Sequence, residues 1–418
     1  MTVHTPAEAF RHALDASRNV FLTGMAGTGK STLLRGLIEE RGSAVTVTAS
    51  TGIAALNIGG LTLHRWSGMM LGPQEGQSDE DYLDHLMEDK RFSVRAGFDR
   101  VRACELLVID EISMLSGRTL QFLDFLCRRL RRCSAPFGGI QVVATGDLLQ
   151  LPPVRKNPAA PYDWVFLARA WQDAAFEVVH LTKVHRQEDA AFVGALSEFR
   201  FGRVTGHNAR LLRSRVAKFP DANLTRLFTH NAQVDKWNAY RLGEIDSEPQ
   251  VFEAALSGPE HQQEFLIKNL LTPQQLELKR GARVMFTVNS GEGGFVNGQT
   301  GIITDFSPGR VAVESDDRQF SVEPFTWAYD SRDKRSATFR QFPLRLSFSV
   351  TIHKAQGLTL DSAYIDVRAA REPGQAYVAL SRLRTLSGLH LKDWFSGVFV
   401  SQAATDFYRH TVPSQSAP

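Results

Sequence analysis

Two α/β domains, the second carrying a small antiparallel β-unit, are what this sequence predicts, and three observations carry the prediction. Short apolar, β-branched runs recur and end on small or acidic residues: NVFLTG (19–24), AVTVTA (44–49), ELLVID (105–110) and IQVVAT (140–145). Such runs suit strands buried on both faces of a parallel sheet, and helical stretches alternate with them. A second series, NLTRLFT (223–229), RLSFSVTIH (345–353) and AYIDV (363–367), restarts the pattern and puts a junction near 172–183. Between them, residues 281–344 are rich in Gly and Asp and hold the short runs RVMFTV, GIITDF and RVAVES, which mark a β insertion.

Taken in order, the first twenty residues read as a short amphipathic helix leading into a strand, without the charged-then-apolar layout of a secretory signal. The first domain is expected over 1–175, with a small excursion within 60–100 around the acidic stretch SDEDYLDHLMEDK. The second is expected over 176–280 and 345–410, interrupted by the β-unit at 281–344, and 411–418 reads as a frayed tail. A length of 418 residues allows these domains their own cores, and 43% hydrophobic with 22% charged residues is ordinary for a globular chain. The net charge of +3 is compatible with a nucleic-acid partner without arguing for one. Cys104, Cys127 and Cys133 form neither a paired framework nor a zinc-type ligand set. No apolar run reaches the length that spans a bilayer, so a soluble, cytoplasmic protein is expected.

Gly24-Met25-Ala26-Gly27-Thr28-Gly29-Lys30-Ser31 fits the pattern G-x-x-x-x-G-K-S/T between an expected strand and an expected helix, STLLRGLIEE. The glycines let backbone N–H groups turn inward around phosphates, and the helix adds its positive end. Lys30 reaches the terminal phosphate oxygens and the Ser31 hydroxyl ligates Mg²⁺. Gly24, Gly27, Thr28, Gly29, Lys30, Ser31 and Thr32 are therefore the expected contacts to ATP. Asp110 and Glu111 follow the apolar strand, where one carboxylate can hold Mg²⁺ and its neighbour can orient the attacking water. Gln150, in GDLLQLPP (146–153), follows the next strand and is placed to sense a γ-phosphate or position water. The run Arg128-Arg129-Leu130-Arg131-Arg132 reads as a solvated helix face.

Seven segments in order, TGMAGTGKST, TASTGIAALNIGGLTLHRW, LLVIDEISML, GDLLQLPPV, HLTKVHRQEDAAF, SVTIHKAQGLTLD and QAYVALSRLR, resemble the Pif family of DNA helicases, in the Pif/RecD-like branch of superfamily 1. They span 19–390, nearly the whole chain. The resemblance implies two RecA-like motor domains, with the β insertion a small SH3-like barrel. It also implies ATP hydrolysis and 5′-to-3′ movement along single-stranded DNA, with unwinding of duplex or forked DNA in replication, repair or recombination. Arg186 then matches the arginine that reaches the γ-phosphate, and Arg382 the arginine finger, expected to be free of core contacts. Thr48, Thr51, Thr62 and His64 match the strand-contacting segment of the first motor domain; Thr351, His353, Lys354 and Gln356 match that of the second. The stretch before Phe21 lacks the glutamine that the family often uses to read adenine. The short flanks suggest a minimal helicase core, associated with the nucleoid. A DNA-stimulated ATPase that clamps or remodels, and a motor subunit of a nuclease complex, are the competing readings.

Overall fold

The computed structural model describes residues 5–412 apart from 74–75, 90, 156, 219–220, 222–223, 291–293, 316, 330–335 and 394–396. They divide into two compact units, Met1–His185 with Val400–Pro418, and Arg186–Phe399.

The first unit is built on six strands: β1 (Val20–Gly24), β2 (Val45–Ala49), β3 (Leu61–Thr62), β4 (Leu106–Asp110), β5 (Gln141–Gly146) and β6 (Glu177–Leu181). Their order is β3-β2-β4-β5-β1-β6 and every neighbouring pair is parallel. The central strands are buried almost throughout, which is why their sequences are continuously apolar rather than alternating. Val20, Leu22, Val108 and Val143 pack with Leu34 and Leu37 of the helix Lys30–Arg41 and with Phe10 and Leu14 of the helix Pro6–Asp15. That first helix starts at Pro6, because Thr5 and Glu8 form a reciprocal capping box and Pro6 occupies a first-turn position.

The excursion at 60–100 is mostly helical, and its β3 joins the main sheet. Its acidic stretch carries the helix Asp79–Glu88, capped by Ser78, whose first turn sets Asp79, Glu80 and Asp81 at the positive helix end. The basic run ends the helix Gly117–Arg131 and is more than a solvated face. Arg131 donates to the carbonyls of Arg102 (2.7 Å), Cys104 (2.8 Å) and Gly138 (2.8 Å), and Arg128 grips Asp124.

The second unit has its own parallel sheet and a large antiparallel insertion. In chain order the strands are β7 (Thr225–Phe228), β8 (Gln250–Glu253), β9 (Ala255–Ser257), β10 (Gln275–Leu278), β11 (Arg283–Phe286), β12 (Thr300–Ser307) and β13 (Arg310–Ser315). They continue with β14 (Arg318–Val322), β15 (Phe325–Ala328), β16 (Thr338–Gln341), β17 (Leu344–Leu346), β18 (Ser349–Thr351), β19 (Ala363–Ile365) and β20 (Leu389–Leu391). The parallel sheet runs β18-β7-β19-β20. The insertion contains the sheets β14-β13-β12-β11-β17, β15-β16-β9 and β10-β8, over a core that includes Val284, Phe286, Val313 and Phe342. It therefore opens near residue 250 rather than at 281, and closes at β17, just past 344.

The other boundaries differ too. β6 completes the first sheet, so the first unit runs past 175 to His185. The helix Gln402–Thr411, expected in the second domain, packs in the first, where Phe407 lies among Phe21, Phe166 and Trp171. Thr411 is the last residue of that helix and Val412 its extended C-cap, and the rest of the expected tail, 413–418, lies outside the described residues. Among the described residues no helix is long and apolar enough to cross a membrane.

Candidate active site

Because its sheet is parallel, the first unit brings the carboxyl ends of β1, β4 and β5 to one edge, and the polar residues the sequence singles out follow those ends. The loop after β1 turns tightly at Gly24, where a Cβ would stand 2.5 Å from the carbonyl oxygen of Leu181. Gly29, at φ +89°, starts the helix Lys30–Arg41 from the left-handed region that glycine tolerates. No side chain caps this helix and no acid sits in its first turn, so its positive end faces the loop. Lys30 Nζ donates to the carbonyls of Gly24 (2.8 Å) and Met25 (2.9 Å), which holds the ammonium over the loop. Thr28 braces the turn through a hydroxyl that donates to the Met25 carbonyl at 2.9 Å, and the Gly27 carbonyl accepts from the His185 N–H at 2.8 Å. Ser31 and Thr32 are exposed on the first helical turn.

Asp110 ends β4. Burial, reinforced by the charge of Glu111, pushes its carboxyl up to about 7, while Lys30 and Arg35 pull the other way. Its Oδ1 accepts from the Glu111 N–H at 2.9 Å. Glu111 is left-handed, at φ +52°, a conformation that costs a non-glycine residue on the order of 1 kcal/mol or more. Ser50 fixes it there: the Ser50 hydroxyl donates to the Glu111 carbonyl at 2.7 Å and the Ser50 N–H to the Asp110 carbonyl at 3.1 Å. Beyond β5, Asp147 is fully buried and accepts from the Leu149 N–H (3.1 Å) and from Gln150 Nε2 (3.4 Å). The Tyr408 hydroxyl reaches the same turn from the C-terminal helix, meeting Thr23 Oγ1 at 2.5 Å, the Leu148 N–H at 3.1 Å and Asp147 Oδ1 at 3.4 Å.

The two arginines lie together in the second unit. Arg186 Nη1 donates to the Ser381 carbonyl at 3.2 Å, and Gln187 Nε2 donates to the carbonyls of Ser381 (3.1 Å) and Leu383 (2.9 Å). Arg382 is 2% exposed, with Nε on the Val378 carbonyl (2.9 Å), Nη2 on Ser381 Oγ (2.8 Å) and Nη1 near the Leu358 carbonyl (3.5 Å). The expectation that Arg382 makes no core contact is wrong, because its guanidinium closes off backbone carbonyls of its own unit.

Of the residues expected along the strand, Thr48 does not belong with the others. It is fully buried and its hydroxyl donates across the sheet to the Val108 carbonyl at 2.7 Å. Thr51 and Thr62 cap the helices Gly52–Ile58 and Leu63–Ser67 at the ends of adjoining strands, with half-buried His64 in the second helix held down in pKa by burial. In the second unit, Thr351 is also buried and its Oγ1 accepts from the Lys354 N–H at 3.2 Å, so it shapes the turn rather than lining it. His353 is exposed there, with Lys354 and Gln356 half-buried. Desolvation, then the charge of Arg345, lowers the pKa of Lys354, and Arg345 itself is pushed down to about 10 by burial.

Sequence reasoning missed Ser50, Asp147, Gln187, Arg345 and Tyr408. Asp147 stood inside the quoted GDLLQ segment and invited a role. Nothing near Tyr408 in the sequence did.

A glycine-rich loop feeding an uncapped helix, beside strand-end carboxylates on one parallel sheet, defines a phosphate-loop nucleotide-binding protein. The sequence model of PIF1-like helicases matches residues 8–199. An ATP-dependent DNA helicase Pif1 of Bdellovibrio bacteriovorus is 38% identical over 401 residues, covering 95% of this chain and 89% of that protein. Among solved structures, Bacteroides Pif1 in complex with ADP-AlF4 has a TM-score of 0.84 at 33% identity, covering 98% of this chain and 97% of that one. Bacteroides Pif1 bound to single-stranded DNA has a TM-score of 0.66 at 34% identity, with the same coverage. The chain belongs to the PIF1-like helicase family.

Proposed function

We propose that this chain is an ATP-dependent DNA helicase that moves 5′ to 3′ on single-stranded DNA and unwinds duplex or forked DNA. The observation that carries the reading is the gathering of the phosphate loop, Asp110–Glu111 and Gln150 at one sheet edge, in a chain aligned over most of its length with a DNA helicase. Lys30 and the loop amides bind the triphosphate, with Gly24, Gly27, Thr28, Gly29, Ser31 and Thr32 forming the cradle. Ser31 and Asp110 would hold Mg²⁺, which supplies neutralisation of phosphate charge. The raised pKa of Asp110 suits that role, since a carboxylate short of positive charge gains most from a divalent neighbour. Glu111, braced by Ser50, orients the attacking water, and Gln150 reports the γ-phosphate.

We read both units as RecA-like motors, Met1–His185 with Val400–Pro418 as the first and Arg186–Phe399 as the second, and the insertion as a small SH3-like barrel. Arg186 serves as the γ-phosphate arginine and Arg382 as the arginine finger. To reach a phosphate, Arg382 has to exchange its bonds to Val378, Leu358 and Ser381. The strand is held by Thr51, Thr62 and His64 in one unit and by His353, Lys354 and Gln356 in the other. Hydroxyl, imidazole and ammonium groups hold phosphate and sugar without reading bases, as a motor indifferent to sequence needs. Such a protein works in the cytoplasm, at the nucleoid. ATP turnover measured with single-stranded DNA, with RNA and with neither tests the substrate; the reading requires stimulation by DNA, and stimulation by RNA alone contradicts it.

A further inference from the structure

The C-terminal helix Gln402–Thr411 returns to the first unit and places one buried hydroxyl between the strand that feeds the phosphate loop and the turn that carries Gln150. A tyrosine hydroxyl has one proton and two lone pairs. The Leu148 N–H at 3.1 Å occupies one lone pair, and the Asp147 carboxylate at 3.4 Å can only accept, so it takes the tyrosine proton. The same hydroxyl lies 2.5 Å from Thr23 Oγ1. These contacts link Thr23, Tyr408 and Asp147, and Asp147 in turn holds Gln150 Nε2 through its second oxygen at 3.4 Å. Thr23 and Asp147 are fully buried and Tyr408 is 3% exposed, so the links lie away from bulk solvent.

We infer that Tyr408 is a positioning residue for ATP hydrolysis, which fixes Asp147 and through it the side chain of Gln150 relative to the phosphate loop. The inference rests on the reading of Gln150 given above. Removing only the hydroxyl leaves the ring packed against Phe407 and His180 while the proton bridge to Asp147 is lost. Binding of ATP, which the loop and Lys30 govern, should persist.

The test is Tyr408→Phe, Gln150→Ala and the double variant in the full chain, with ATP turnover followed at saturating single-stranded oligothymidine and melting temperature recorded alongside. Tyr408→Phe should lower kcat about tenfold while KM for ATP stays within about twofold, an effect sized for a lost buried hydrogen bond. In the Gln150→Ala background the same change should cost little more, because residues that act through one another are not additive. A hydroxyl that merely stabilised the fold would lower the melting temperature and leave kcat and this coupling untouched. Unchanged kcat in Tyr408→Phe, or full additivity with Gln150→Ala, overturns the inference. Full turnover in Gln150→Ala overturns instead the reading of Gln150 on which it rests.

Discussion

Lys30 and Glu111 have different roles in the proposed hydrolysis and should fail in different ways. Lys30 lies over the loop proposed to hold the phosphates, so Lys30→Ala should weaken triphosphate binding. Glu111 is held in a strained backbone conformation braced by Ser50, which is costly unless its carboxylate has a fixed task. Glu111→Gln should bind ATP near the parental affinity and lose on the order of 10²- to 10⁴-fold in turnover, the range for a positioned general base. Fluorescent-nucleotide titration beside steady-state turnover separates the two, and full DNA-stimulated turnover in Glu111→Gln would falsify the water-orienting role. Arg382 carries a double prediction. Arginine fingers contribute on the order of 10³-fold or more, so Arg382→Ala should lose most ATPase activity. It should also melt below the parent, since hydrogen bonds from a charged group contribute about 1.5–3 kcal/mol and several close here inside the unit. Parental melting in that variant would mean the guanidinium is not held as the structure draws it.

At the scale of elements, the grip on the strand proposed for the second unit lies on the turn that follows β18, shaped by the buried Thr351 hydroxyl. His353→Ala with Lys354→Ala should weaken single-strand binding by similar amounts on unrelated sequences. It should lower the salt slope of binding by about one, the signature of one lost phosphate charge. ATP hydrolysis without DNA should hold its parental rate; anisotropy titrations across a salt series, run with turnover, decide it, and an unchanged salt slope would remove Lys354 from the grip. These elements were legible to different degrees. The strands of the first sheet announced themselves because burial on both faces leaves an uninterrupted apolar run. The sequence marks the insertion only from 281 because β8, β9 and β10 are short, mix apolar with polar residues and are largely exposed, so little in them separates them from a loop. The run RLSFSVTIH looked like one strand, yet β17 ends the antiparallel insertion and β18 enters the parallel sheet two residues later. Burial of Thr48 was equally invisible, since a threonine beside a strand end reads alike whether its hydroxyl faces solvent or a neighbouring carbonyl. The home of the C-terminal helix is a tertiary fact: its spacing shows an apolar face, and only packing decides which core receives it.

For the whole molecule, the central claim is that ATP hydrolysis at the first unit's sheet edge drives strand separation, rather than tightening a clamp or serving a partner nuclease. Both a clamp and a helicase hydrolyse ATP faster on single-stranded DNA, so turnover alone does not divide them. Strand separation by the isolated chain does. The decisive measurement follows release of a labelled strand from duplexes carrying a 5′ or a 3′ single-stranded tail, with ATP, for the parent and for Glu111→Gln. The parent should separate the 5′-tailed duplex without shortening either strand, leave the 3′-tailed duplex paired, and lose the activity in Glu111→Gln. Vigorous DNA-stimulated hydrolysis with neither duplex opened would contradict the account and leave a clamp in its place.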